Sequence, residues 1–291
     1  MHSPLPVLAL LSNALIWGLA WWPFRQMLAA GLHPLWATAL MYALILAGLT
    51  ALRPGVWSQV RAAGPALLLL AASSGVNNVA FNWAIGIGDV VRVILLFYLM
   101  PAWAVLLAWR ILGERPTRVA LARLALAFAG VLLVLWPERG GAERLGAALG
   151  LADALALLGG FMFALTNVLL RRFQGIPGQA RMATMFGGCM AMAFAAALAG
   201  QALGAVPALP PFDLAWAGVA VGLAALLMLG NWALQYGASR LAAGTTAVVM
   251  LSEVVFASGS SMLAGSSAPT ARTLAGGALV VGAALLAALR R

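Results

Sequence analysis

From residue 5 onward the chain is a succession of uniformly apolar stretches, each roughly 17 to 25 residues long and bounded by Arg, Pro or Gly, the length a helix needs to cross a bilayer. Runs such as Ala66 to Ala72 and Ala191 to Ala199 lack the alternation of a transmembrane barrel, so the segments read as helices. With 64% hydrophobic and 8% charged residues over 291 positions, no water-soluble core can hide these side chains, and the lipid bilayer must be the solvent. The expected fold is therefore all-α and integral to the membrane. Ten transmembrane helices are predicted, roughly at 5–25, 34–52, 64–86, 90–110, 117–136, 147–171, 180–200, 213–237, 241–263 and 270–289. The first lacks a basic leading region and runs on through Trp17, Trp21 and Trp22, so it reads as a retained helix rather than a signal peptide.

All 17 basic residues are arginine and the net charge is +10. Their distribution points to topology rather than to nucleic acid. With the N-terminus inside, the inner loops and tail carry Arg53, Arg61, Arg110, Arg115, Arg118, Arg123, Arg171, Arg172, Arg181, Arg240, Arg290 and Arg291. The outer side carries Arg25, Arg92, Arg139, Arg144 and Arg272. The expected location is the bacterial inner membrane, with multiple passes and both termini cytoplasmic.

The second half matches the first when slid back by about 153 positions, an offset of the kind that internal repeats produce. Asn78 then falls on Asn231, Asn82 on Gln235, Trp83 on Tyr236, and Pro116-Thr117 on Pro269-Thr270. The reading is a first five-helix repeat at 1–137, a connecting loop at 138–146 and a second repeat at 147–291. An odd number of helices per half makes the repeats inverted around a central cavity, as in many secondary transporters.

Polar residues inside such helices are the candidate chemistry. Ser74, Asn78 and Asn82 follow i, i+4 spacing, with Asn77 and Phe81 beside them, and Asn231 and Gln235 repeat the pattern in the eighth segment. They face either a neighbouring helix, as interhelical glue, or a wet cavity. Asn13, Trp17, Trp21 and Phe24 share one face of the first helix, while Phe97, Tyr98, Met100, Pro101 and Trp103 lie at mid-depth in the fourth. Phe163 and Asn167 join the candidates from the sixth. Belts at the membrane surface account for Trp21, Trp22 and Trp36, and packing is the alternative to cavity lining for Trp17 and Tyr98. Pro101 removes a backbone donor and marks a hinge, and Ser258-Gly259-Ser260-Ser261 marks a soft stretch in the ninth helix. Glu253, buried among Leu251, Val254 and Val255, requires a proton or a partner, which makes it a proton, cation or ammonium site or else a structural contact. Arg92 and Asp89 read as a helix-end pair, Arg171-Arg172 and the Gly113 to Pro116 turn as anchors, and Cys189 as packing.

Trp17-Gly18, the Leu112-Gly113-Glu114-Arg115-Pro116-Thr117 turn and the repeat register together resemble the drug/metabolite transporter superfamily, EamA-like ten-helix type. Tyr98-Leu99-Met100-Pro101 looks like the Tyr-Leu-x-Pro segment of bacterial aromatic amino acid exporters. The resemblance implies a cavity lined by helices one, three, four, six, eight and nine, with helices five and ten set aside as supports and Tyr98 and Met100 at the substrate. Two departures stand out. Many members have Glu-Pro where this chain has Met100-Pro101, and the second-half turn reads Gly265-Ser266-Ser267-Ala268-Pro269. The implied function is export of small metabolites, foremost aromatic or other amphipathic amino acids, with multidrug or cationic-compound export as the alternative.

The expected partners are a small-molecule substrate and lipid, with protons as a candidate coupling ion and no nucleic acid. Nothing in the sequence sets an oligomeric state. Two histidines, His2 and His33, and one cysteine cannot build a recurring metal site, and no lysine exists for a Ser-Lys dyad or a phosphate-binding loop. No metal, no cofactor and no enzymatic activity are expected. A purely structural or signalling membrane protein has no need of two polar stripes related by a repeat. The topology makes a direct prediction: a cysteine placed at residue 291 is modified by a membrane-impermeant reagent only after the inner face is exposed. Labelling from the outer side of intact cells would reject the assignment.

Overall fold

The computed structural model describes residues 4–88, 90–136, 149–264 and 270–289. His2, Asp89, the connecting loop 138–146 with Arg139 and Arg144, the turn 265–269, Arg290 and Arg291 lie outside the described residues. Among the described residues the structure is helical, with no strand. Its helices are α1 Leu5–Leu19, α2 Trp21–Ala29, α3 Pro34–Leu52, α4 Val56–Ala63, α5 Ala66–Ile87, α6 Val90–Phe97 and α7 Met100–Leu112, then α8 Arg118–Leu135, α9 Leu151–Arg172, α10 Gly178–Ala202, α11 Leu214–Ala238, α12 Ala243–Met250, α13 Ser252–Leu263 and α14 Ala271–Leu289.

These form ten apolar segments at the expected places. Eight are long and apolar enough to span a membrane on their own: α1 with α2, α3, α6 with α7, α8, α9, α10, α11, and α12 with α13. The pair α4 and α5 qualifies together but is bent by 110°, and α14 is a shorter apolar helix. The protein is thus a multi-pass membrane protein. The sequence reading had no place for α4. Its Trp57, Ser58, Gln59 and Arg61 suit the membrane surface rather than the interior, and only Val56 among its residues is buried.

Local chemistry sets the ends. Gly113 closes α7 in the left-handed region at φ 72, which glycine adopts at no steric cost. Thr117 then caps α8 by accepting from Ala120 N at 3.1 Å, and Thr270 caps α14 by accepting from Thr273 N at the same distance. The repeated threonines are therefore equivalent N-caps. His33 caps α3 through Nδ1, which accepts from Leu35 N at 3.3 Å; partial burial holds its pKa below the ordinary histidine value, in keeping with a neutral acceptor.

The repeat register is also visible in the helix breaks. The fourth span breaks between α6 and α7, and the ninth between α12 and α13. Both bounds of α12 lie 153 positions after those of α6. Pro101 stands in the first turn of α7, where a missing N–H is harmless, so the break falls at Tyr98-Leu99. Its counterpart falls at Leu251, whereas α13 runs unbroken through Gly259. The interruption of this span thus falls at Leu251, and the helix is continuous at Gly259, where the sequence placed a soft stretch: a glycine inside a helix permits bending without requiring it.

Packing follows the same pattern. Helix α9 lies against α5, α6 and α7, while α1 lies against α11, α12 and α13. Helices α8 and α14 pack on each other, as do α3 and α10. This exchange of partners is what two halves related by a two-fold produce. Glycines allow the closest crossings. A methyl built on Gly130 of α8 would stand 2.7 Å from the Gly276 carbonyl of α14, and one on Gly188 of α10 would run into the Ala71 carbonyl of α5. Gly188→Leu is expected to lower the thermal midpoint in detergent by several degrees, consistent with an overpacking cost of about 1–3 kcal/mol. Gly187→Leu, where a Cβ meets nothing within 4 Å, is the control and should leave it unchanged. Equal effects would contradict the crossing.

Candidate functional site

A cavity of about 90 Å³ sits among α1, α3, α5, α6, α7, α9, α10, α11, α12 and α13. Its floor is the α5 stripe. Asn78 accepts from the Tyr42 hydroxyl at 3.2 Å and donates to Ser74 O at 3.1 Å and Cys189 Sγ at 3.2 Å. Ser74 Oγ lies 3.0 Å from the same sulfur, and Asn82 donates to Thr38 Oγ1 at 2.8 Å. The stripe therefore ties α5 to α3 and α10 and also lines the cavity, so the two alternatives for these amides hold together. Asn77 lines the same wall and its buried Oδ1 has no partner, which leaves an acceptor for an incoming donor.

Aromatic rings line the same space. Phe97 is the hub, 4.5 Å from Phe81, 5.9 Å from Tyr98 and 5.9 Å from Phe163 between ring centroids. It sits at the end of α6 because the chain breaks there, and its carbonyl, which would otherwise meet a donor four residues on at Pro101, takes the space a Cβ on Gly160 would need. Trp17 reaches the cavity because Gly18 beside it lets α1 approach α13: a methyl there would stand 3.0 Å from the Glu253 carbonyl. That gives the Trp17-Gly18 pair a steric reason.

Glu253 is the one acidic residue among the described lining. It stands in the first turn of α13, at the break, where the helix N-terminus favours a carboxylate, and it faces the Tyr98 hydroxyl closely enough to interact with it. The repeat register sets it opposite Met100, which also lines the cavity. The two broken spans thus bring Tyr98, Met100 and Glu253 to one cavity.

Of the sequence candidates, the cavity gathers Trp17, Asn78, Asn82, Tyr98, Met100, Phe163, Asn231 and Glu253. Three fall elsewhere. Trp103 packs edge-on against Phe161 at 5.7 Å outside the cavity. Asn167 is buried in α9 one turn beyond Phe163, to whose carbonyl it donates at 3.0 Å, and lies outside the cavity lining. Gln235 contacts the Asn231 amide at 3.0 Å but lines a different opening. The structure adds Tyr42, Thr166, Met185, Phe186, Cys189 and Met250 to the wall. A signal for Tyr42 existed: Thr38 and Tyr42, at i, i+4, interrupt an otherwise apolar helix. Cys189 carried none.

Two electrostatic readings gain partners. Arg92 pairs with Asp153 of α9 at 2.7 Å, and Asp153 also accepts from Gly150 N at 2.8 Å, so Arg92 joins two spans; the expected contact with Asp89 lies outside the described residues. Glu114 of the Gly113 to Pro116 turn lies 3.5 Å from Arg171 and accepts from Ala243 N at 3.2 Å, capping α12 from across the fold. Arg171 and Arg172 donate to Ser239 O and Ile111 O at 2.8 and 3.1 Å, satisfying carbonyls beyond the last turn of α11 and near the end of α7. These anchors bind one end of the molecule together.

Comparison with known proteins agrees with this architecture. The model of the EamA-like transporter family matches residues 4–136, so the first half of the chain is similar to that family. A solved crystal structure, described simply as "Crystal structure of protein", superposes with a TM-score of 0.76 at 20% identity over 97% of this chain and 96% of that one. At that identity the likeness establishes a shared fold. No curated protein matches the chain.

Cys189, the single cysteine, reports on the cavity without any substitution. Buried and engaged with Ser74 and Asn78, it should react with N-ethylmaleimide about ten-fold or more slowly than a cysteine at exposed Leu203, measured in a Cys189→Ser background. Equal rates would contradict the closed geometry.

Proposed function

We propose that the chain is a secondary transporter that exports small amphipathic metabolites, aromatic amino acids foremost, by alternating exposure of the central cavity. The observation that carries this reading is the meeting, at two symmetry-matched helix breaks, of one carboxylate, several amides and an aromatic wall. Each surface answers one part of such a solute. Trp17, Phe97, Tyr98 and Phe163 take the ring, Glu253 the ammonium, and Asn77, Asn78, Asn82 and Asn231 the remaining polar groups. The similarity of the first half to a transporter family supports the class of function. At about 90 Å³ the cavity holds a few waters and no amino acid, so entry requires the walls to part, and the breaks at Tyr98-Leu99 and Leu251 are where the spans bend. Both termini facing the cytoplasm, two inverted five-helix repeats and proton coupling through Glu253 belong to the same proposal.

A second reading has its own observation. The described lining contains Glu253 and no arginine, a combination that also suits a hydrophobic cation. Phenylalanine, threonine and a hydrophobic cation compared in proteoliposomes separate the two. The amino-acid reading expects phenylalanine flux that Tyr98→Ala and Asn78→Ala weaken a few-fold in apparent affinity, as losses of about 1 kcal/mol imply. It also expects Glu253→Gln to remove the response to a pH gradient. Flux of the cation alone, abolished by Glu253→Gln and indifferent to the other two changes, would replace amino-acid export with cation export.

A further inference from the structure

A second, larger cavity of about 1150 Å³ opens between the start of α10 and the end of α11. Its chemistry is opposite to that of the central cavity. Arg181 and Arg240 line it together with Gln59 and Gln235, and no Asp or Glu is among its described lining residues. Arg181 is 5% exposed. One guanidinium nitrogen, Nη1, donates to Leu170 O at 2.9 Å, while Nε is buried with no partner. Arg240 is exposed at the rim and held in place, stacked 3.9 Å above the Tyr236 ring and donating to Tyr236 O at 3.0 Å. Its charge bears on that of Arg181. The carboxylate of Glu114 is engaged with Arg171 and with the start of α12.

A guanidinium taken out of water without a counter-charge is expensive, and a second cation beside it raises the cost. The surroundings add to the same imbalance. Arg181 lies in the first turn of α10, a 25-residue helix with Pro177 as cap, no cap side chain to accept from its N–H groups and no acidic residue in its first turn, and the neutral Gln235 amide lies against this helix start. Gly178 leaves the approach open, since a Cβ there would stand 3.6 Å from Arg181 Nη2. A nearly buried arginine with its Nη2 beside the Gly178 approach, a helix N-terminus and a rim arginine therefore line one accessible space.

We propose that this vestibule is a binding site for an oxyanion group, a carboxylate or phosphate, held by Arg181 and Arg240 at the N-terminus of α10. The site is distinct from the central cavity and touches it through the Asn231 to Gln235 contact, so an anion bound there sits one residue from the solute path. It stands whether or not the chain transports amino acids.

The test is binding rather than flux, with the full chain in nanodiscs. In pure phosphatidylcholine discs, sodium benzoate and sodium phosphate are titrated against sodium chloride of equal ionic strength, with the thermal midpoint as readout. The same midpoint is read in discs doped with phosphatidylglycerol. A saturable rise with benzoate or phosphate is expected, weakened about tenfold by Arg240→Gln, as loss of a charge-assisted contact implies. Gly178→Leu, which fills the approach and leaves both arginines in place, should abolish it. A rise with phosphatidylglycerol alone, lost in the same two variants, upholds the oxyanion site and assigns its anion to a lipid headgroup. No rise beyond chloride with any of the three, or a rise that both variants retain, overturns the proposal.

Discussion

In hydrocarbon, a backbone N–H or C=O without a partner costs several kcal/mol, and the architecture follows from where this chain tolerates that cost. Most spans avoid it by staying helical. The first, fourth and ninth do not: the first is interrupted at Ala20, while the fourth and ninth break at mid-span at positions related by the repeat, and both of these breaks border the central cavity. The Phe97 carbonyl freed by Pro101 lies on Gly160 of a neighbouring helix, and Glu253 occupies the first turn beyond the other break. Interrupted backbone and buried charge thus share one protein-walled space.

Around that space the molecule is held by contacts of two kinds. Glycine crossings, Gly130 with Gly276 and Gly188 with Ala71, bring helices to backbone contact away from the lumen. Polar ties, Asn78 with Tyr42 and Cys189, and Trp21 with Ser260 at 2.9 Å, join helices at or near it. The first kind depends on close packing and resists sliding. The second is made of single hydrogen bonds, each worth about 1 kcal/mol net, that can exchange for bonds to a solute or water. At the arginine-rich end, Glu114, Arg171 and Arg172 link α7, α9, α11 and α12, so the ninth span is tethered at its start and broken in its middle.

Much of the fold was legible because lipid imposes a strong rule on sequence: length and apolarity gave the ten segments, and the Asn and Thr matches gave the register that the helix breaks and caps share. The cavity was legible where polar or aromatic residues interrupt apolar helices, as with Asn78, Tyr98 and Glu253. It was not legible where the decisive fact is how far along a helix the cavity extends and which neighbour stands there. Trp103 and Asn167 carry the right chemistry but lie a turn beyond the lining Met100 and Phe163, and Cys189 looks like filler yet stands in the wall, because spacing along one helix does not tell which neighbour it meets. Asp153 was missed as the partner of Arg92 for a related reason, since an ion pair across two spans has no local signature. The α4 helix escaped because eight residues at a membrane surface carry no spanning signal.

The claim on which the rest depends is that two symmetry-matched breaks are the places where the spans give way around the cavity. Hydrogen–deuterium exchange of the protein in lipid nanodiscs measures this directly, because intact membrane helices exchange slowly and interrupted ones do not. The account predicts two zones of fast exchange within otherwise protected spans, one around Tyr98 to Met100 and one around Leu251 to Glu253, both slowed when a transported solute is bound. Uniform protection through both spans, or fast exchange around Gly259 instead of Leu251, would contradict it.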